Sequence, residues 1–334
     1  MSSRGQEPSP AGRYRRLIII LDRPLNKQSL HIETPLIESL SLAQKVKGRV
    51  WLKMEALQPT GSFKLRGIGW ACQKYFSEGA KRFISSSGGN AGIAVAYSGR
   101  KLGVPVTVIV PQSTTTRAIE AIRQENAEVI IKGETWQESH SYSQDLTGPN
   151  SVYIHPFDNP LLWSGHATII DEIRKSKLIP DAVVLSVGGG GLLCGIIEGL
   201  YRNNFSNVPI LAVETEGADS LSLSLRAGRH MEIDGIKSIA TSLGAKKVAK
   251  AAYDWCHKHE VVSHVVSDIE AVDSCLKFSI DHRLLVEPAC GAALASLYDP
   301  AEFLKEKECI LIIVCGGAGV TMSQLEAWKQ KLDA

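Results

Sequence analysis

The chain has 334 residues, 44% of them apolar and 22% charged, with a net charge of +2. That length suits two domains or one large one, and the composition fits a globular protein and excludes a disordered or membrane class. The near-neutral charge removes any bulk electrostatic case for nucleic acid. Taken in chain order, residues 1–28 read as a flexible Ser/Pro/Gly-rich leader, and its cluster of Arg13, Arg15 and Arg16 reads as a solvated tail. The apolar stretch 17–21 is too short to span a bilayer and lacks a small-residue cleavage site, while Glu7 and Asp22 speak against a transit peptide. A cytoplasmic location with no membrane partner is expected. The seven cysteines are odd in number and lack C-x-x-C spacing, as reduced core thiols would be.

From about residue 50 short β-branched runs alternate with longer helical patterns. Strands are expected at 50–53, 82–85, 106–110, 128–131, 152–154, 182–187, 210–213, 262–266 and 310–314. Val106-Thr107-Val108-Ile109-Val110 is apolar on both faces, as in a strand covered by helices on either side. Helices fit the intervals, for instance 90–101, 114–126 and 192–203. The alternation predicts an α/β protein with two open, mostly parallel sheets flanked by helices. The segment 156–160 reads as a crossover, so a small domain is expected at 56–160 and a large one at 29–55 and 161–334.

Four loops carry the chemistry. Pro59-Thr60-Gly61-Ser62-Phe63-Lys64 sets a lysine beside an aromatic ring in a turn. Most lysines simply face solvent, but one held off the surface favours its neutral amine, which can condense with a carbonyl. Ser85-Ser86-Ser87-Gly88-Gly89-Asn90 joins a strand to a helix expected from Ala91. It suits either a helix N-cap or a carboxylate site. Gly188-Gly189-Gly190-Gly191-Leu192 follows a strand and opens a helix, where unpaired backbone N–H groups suit a phosphate. It is neither a dinucleotide fingerprint nor a Walker loop, and alone it would also serve as a tight turn. Val314-Cys315-Gly316-Gly317-Ala318-Gly319 ends another strand, with a thiol that is either a buried small hydrophobe or the neighbour of a ring nitrogen. Together they describe one flat ligand with a reactive carbonyl and a phosphate tail: pyridoxal 5'-phosphate.

These residues resemble the fold-type II pyridoxal-phosphate enzymes, and within them the serine/threonine dehydratase branch of the short animal type. The likeness covers about residues 29–332 and includes His31-Ile32-Glu33-Thr34-Pro35-Leu36 and Leu284-Leu285-Val286-Glu287-Pro288-Ala289-Cys290-Gly291-Ala292. The resemblance implies that Lys64 carries the cofactor and moves the substrate Cα proton. It also implies that Phe63 packs on the pyridine ring, Asn90 bonds its 3'-oxygen, and Gly188, Gly189, Gly190, Gly191 and Leu192 hold the phosphate. Ser87, Gly88, Gly89 and Asn90 would receive the substrate carboxylate, and Cys315 would face the pyridine nitrogen as a neutral thiol. A potassium-like cation is implied at Gly188, Glu214, Ala218, Leu243 and Ala245, although Glu214 equally suits a loop-stabilising role. The implied activity turns L-serine into pyruvate and ammonia, and L-threonine into 2-oxobutanoate, in a cytoplasmic homodimer. Feedback through an appended regulatory domain is not expected, since the catalytic region runs to the end of the sequence near Ala334.

Two departures from the family pattern stand out. Ser242 takes a position where close relatives carry Ala on the ring's other face. Gly88 takes one that is Ala in a dehydratase isoform and Ser in racemases, and glycine offers no proton donor opposite the lysine. Elimination is therefore expected over racemisation, with β-replacement and a non-catalytic binding protein as the other readings. Cys256, His257, His259 and His264 are dense but lack finger spacing, so no zinc is expected. His155 and His166 lie near the crossover and carry no assigned role.

Overall fold

A computed structural model describes residues 29–333; the leader and its arginine cluster lie outside the described residues. The strands are β1 (Leu36–Glu38), β2 (Arg49–Lys53), β3 (Arg82–Ser85), β4 (Val106–Val110), β5 (Glu128–Ile131), β6 (Ser151–Tyr153), β7 (Ala182–Ser186), β8 (Ile210–Thr215), β9 (Val261–Val266) and β10 (Cys309–Ile313). They form a six-stranded sheet in the order β1-β2-β10-β7-β8-β9 and a four-stranded sheet in the order β5-β4-β3-β6. Every pairing is parallel except that of β1 with β2. The α/β expectation therefore holds. β4, β7, β8 and β10 are buried at every residue, the pattern of strands with both faces covered. β1 escapes a sequence reading because three residues are too few to show alternation, and pairing with β2 is what defines it.

The helices that position the site are α1 (Lys64–Ser77), α2 (Asn90–Leu102), α3 (Pro160–His166), α4 (Thr168–Lys175), α5 (Gly191–Arg202), α6 (Ser220–Arg226), α7 (Asp268–His282), α8 (Pro288–Tyr298) and α9 (Met322–Leu332). One apolar cluster surrounds β7, β8 and β10 with α5 and α8; a second joins β3 and β4 to α1 and α2. α1 packs against α2 and α3, at the seam between the two sheets.

A closed set of charges pins α1. Arg66, fully buried, bonds Glu55 through Nε at 2.6 Å and NH2 at 2.7 Å, and Glu172 of α4 through NH1 at 2.6 Å and NH2 at 2.8 Å. Lys53, from the end of β2, bonds Glu172 and the Thr34 carbonyl. The Thr34 hydroxyl donates to Glu55 at 2.6 Å. Two cations thus meet two anions, and the bidentate geometry offsets their loss of water. Arg66 lies two residues beyond Lys64, so this network holds the start of α1 in register.

Candidate active site

The site forms over the C-terminal ends of β3, β7 and β10, where ligands collect in open α/β sheets. Lys64 is the first residue of α1 and leaves the turn in which Gly61 N–H donates to the Gln58 carbonyl at 2.7 Å. That turn is laced to the segment after β10. Ser62 bridges to Gly316, Phe63 N–H donates to the Cys315 carbonyl at 3.1 Å, and Gly317 N–H to the Gly61 carbonyl at 2.8 Å. Residues remote in sequence so become one wall of a cleft.

Phe63, Lys64, Asn90, Gly188, Gly189, Gly190, Gly191, Leu192 and Cys315 all line this cleft. Lys64 Nζ donates to the Pro156 carbonyl at 2.7 Å and lies 5.2 Å from the Phe63 ring centroid. Burial disfavours its ammonium and lowers the pKa to about 8, against the opposing pull of Cys315 and Glu287. The Cys315 thiol is pushed well above its ordinary range by its bond with Cys290 and by burial, so it is neutral.

The glycine run turns from β7 into α5. Gly190 is the N-cap at φ 82° and offers no capping side chain, which leaves first-turn N–H groups for an anion. At Gly189 a Cβ would fall 2.2 Å from the Phe157 ring, so only glycine admits that ring against the loop. Phe157 comes from the crossover, and its carbonyl accepts from Trp163 Nε1 at 2.9 Å.

The serine-rich loop departs from expectation. Gly89, not a serine or Asn90, is the N-cap of α2, and no side chain caps the helix. Asn90 is instead held at both ends of its amide: Nδ2 donates to Glu287 Oε1 at 2.8 Å and Oδ1 accepts from Ala318 N–H at 2.9 Å. Ser87, Gly88 and Gly89 form the turn that leads to Asn90 and are not part of the cleft lining. Beside Gly88, Thr114 takes the space a side chain would use, with Cγ2 2.7 Å and Oγ1 3.0 Å from the Cβ position.

With this geometry in view, the comparisons with known proteins are specific. The family model described as "Pyridoxal-phosphate dependent enzyme" matches residues 28–316. The chain is 41% identical over 319 residues to human "L-serine dehydratase/L-threonine deaminase", covering 92% of this chain and 97% of that protein. It is 44% identical over 315 residues to mouse "Serine dehydratase-like", covering 91% and 96%. The crystal structure of a fungal L-serine ammonia-lyase from Rhizomucor miehei aligns with a TM-score of 0.87 at 35% identity, over 91% of this chain and 99% of that one.

The chain belongs to the pyridoxal-phosphate dependent enzymes.

The residues present fit that cofactor. A loop closed to any Cβ at Gly189 meets the unpaired amides of a helix start, and an amine with a depressed pKa shares its cleft. Of the residues implied for a cation, Gly188 and Leu243 line the cleft, whereas Glu214, Ala218 and Ala245 do not. Glu214 accepts from Leu221 N–H at 2.9 Å and Ser222 N–H at 2.7 Å, in the first turn of α6, and burial raises its pKa to about 8. A loop-stabilising role is therefore visible in its bonds. Among the described residues no group of three or more His, Cys, Asp or Glu is placed to hold a metal ion. Sequence reasoning passed over Pro156, Phe157, Thr114 and the role of Glu287. Glu287 had a signal in the stretch 284–292, and Pro156 and Phe157 one in the crossover 156–160, but Thr114 had none.

Proposed function

We propose that this protein is a pyridoxal-phosphate-dependent L-serine dehydratase that converts L-serine to pyruvate and ammonia, and L-threonine to 2-oxobutanoate. The observation that carries the reading is the amine of Lys64, its pKa lowered by burial, in the same cleft as the four-glycine loop. Relatives named for that activity, over nine-tenths of the chain, support it.

In this reading Gly188, Gly189, Gly190, Gly191 and Leu192 would hold the phosphate, Phe63 would pack on the ring, Asn90 would donate to its 3'-oxygen, and Cys315 would meet the ring nitrogen as a neutral thiol. The bound cofactor supplies an electron sink next to the substrate Cα, weaker with a neutral nitrogen and sufficient for elimination. Amides and the hydroxyl of Ser87, Gly88, Gly89 and Asn90 would orient the substrate carboxylate, from the loop that joins the cleft lining at Asn90. Lys64 would take the Cα proton, the β-hydroxyl would depart as water with a proton supplied by the cofactor's phosphate, and addition of water to the remaining enamine would release ammonia and pyruvate. Serine and threonine share that hydroxyl and differ by one methyl, a discrimination of only about 1–3 kcal/mol.

We further take 56–160 as the smaller domain, the chain as a cytoplasmic homodimer, and Gly188, Glu214, Ala218, Leu243 and Ala245 as a potassium site. Two separate apolar clusters support the domain division and seven free cysteines a reducing compartment; the dimer and the cation rest on the family resemblance. No helix among the described residues is long and apolar enough to cross a membrane.

The test is a visible spectrum of the purified holoenzyme before and after L-serine, with pyruvate, ammonia and D-serine assayed. Loss of the cofactor band with stoichiometric pyruvate and ammonia is expected, and Lys64→Ala should abolish both. D-Serine without pyruvate, or turnover surviving in Lys64→Ala, would falsify the assignment. Sedimentation and a comparison of thermal midpoints in potassium and tetramethylammonium buffers check the dimer and the cation.

A further inference from the structure

Glu287 is a buried carboxyl that the reaction as derived above does not use. It stands at the N-cap position of α8 with no side-chain capping bond, is 6% exposed, and lines the same cleft as Lys64. It accepts from Asn90 Nδ2 at 2.8 Å, and a Cβ at Gly319 would lie 3.4 Å from its Oε2. The loop after β10 closes over it so tightly that a Cβ at Gly317 would lie 2.0 Å from Glu287 Cδ. A carboxyl this buried, bonded by Asn90 and closed in by the loop at Gly317, is costly to keep unless it serves the site.

Its bond to Asn90 has a directional consequence. Asn90 Oδ1 is fixed by the Ala318 N–H, so a flipped amide would set oxygen against the Glu287 carboxylate and N–H against N–H. Glu287 and Ala318 together admit one orientation, in which Nδ2 keeps a second N–H free. The ionisable groups that face Glu287 are Lys64 from α1, Cys315 after β10 and Cys275 from α7. Two are thiols, so Lys64 is the cation among these groups. Burial raises the Glu287 pKa, and Ser242, Asn90, Gly319 and Lys64 oppose that rise.

We propose that Glu287 is a positioning residue for the lyase reaction: its carboxylate locks the Asn90 amide with one N–H aimed at the cofactor's 3'-oxygen, and balances the Lys64 ammonium. The inference rests on the function proposed above. In the step concerned the Cα–H bond breaks, an N–H bond forms on Lys64, and no proton passes to Glu287. The carboxylate contributes most when Lys64 is charged, so its removal should lower kcat more than it raises KM.

Glu287→Gln, prepared as holoenzyme, separates charge from shape. The expected results are a pH midpoint of the visible cofactor band shifted down by about one unit, kcat reduced about 10- to 100-fold and KM changed less than about threefold. A band midpoint within about 0.2 unit of wild type and kcat within about twofold would overturn the proposal. Where the glutamine variant fails to fold, Glu287→Asp carries the test, since it keeps the charge and withdraws it by one methylene. An unchanged midpoint with cofactor affinity weakened about tenfold supports the proposal; a shifted midpoint with undiminished affinity overturns it. Wild-type protein that forms no cofactor band or pyruvate defeats the functional reading itself, a result distinct from an unresponsive variant.

Discussion

Lys64 shows how position converts a common side chain into a reactive one. At its ordinary pKa of 10.5 the amine is protonated at neutral pH; burial at the start of α1 brings it to about 8. The second-order rate at which apoprotein captures pyridoxal phosphate should therefore rise with pH and level off above about 8. Stopped-flow absorbance would check this, and a rate still climbing tenfold per unit at high pH would contradict it. At Gly189 the constraint is steric. Gly189→Ala sets a methyl 2.2 Å from the Phe157 ring, so cofactor affinity should fall tenfold or more. Phe157→Ala in the same chain should recover part of it, as read by cofactor titration.

Elements act through what holds their ends. The N-terminal turn of α1 depends on Arg66, whose guanidinium is shared between Glu55 and Glu172. Glu55→Gln leaves buried positive charge without its partner and should cost about 3–5 kcal/mol, measured by urea denaturation, with cofactor retention impaired as well. α9 offers the contrast. Its capping box pairs the Thr321 hydroxyl with Gln324, far from the cleft lining. Thr321→Ala should cost about 1 kcal/mol and leave kcat unchanged.

Across the whole molecule, buried ionisable groups oppose one another as pH changes. His31 and His155 are held at about 4 by burial, with Arg66 adding to the shift at His31 and the neighbouring His140 and Lys64 at His155. His166 is pushed further the same way. Below the unfolded value of about 6.5 the unfolded chain binds protons that the folded one refuses, so these histidines cost stability as pH falls from 6.5 towards 4. Glu214 runs the other way. Its folded pKa of about 8 exceeds its unfolded 4.5, so its contribution is lost as pH rises through that window. Urea midpoints of apoprotein in potassium-free buffer should peak near pH 6.5, and Glu214→Gln should lessen the decline from there to pH 8. A monotonic profile would contradict this balance.

Strand positions, the α/β class, the lysine turn and the glycine run were legible because each is local. Runs such as 106–110 announce a covered strand, and consecutive glycines after a strand announce an exposed helix start. The buried Arg66 network, the Phe157 ring against Gly189 and the Glu287–Asn90 lock left no local trace, since each joins residues distant in sequence whose types are unremarkable alone. The Asn90 case is the clearest. A polar loop before a helix reads as a cap, and only the approach of β10's following segment and of Glu287 turns that amide into part of a site. Sequence by itself determined the elements and the cofactor chemistry, because backbone propensity and functional-group type are properties of short segments. Tertiary structure decided which groups are desolvated and which are paired, because solvent exclusion and Coulomb interaction depend on distances that the fold alone sets.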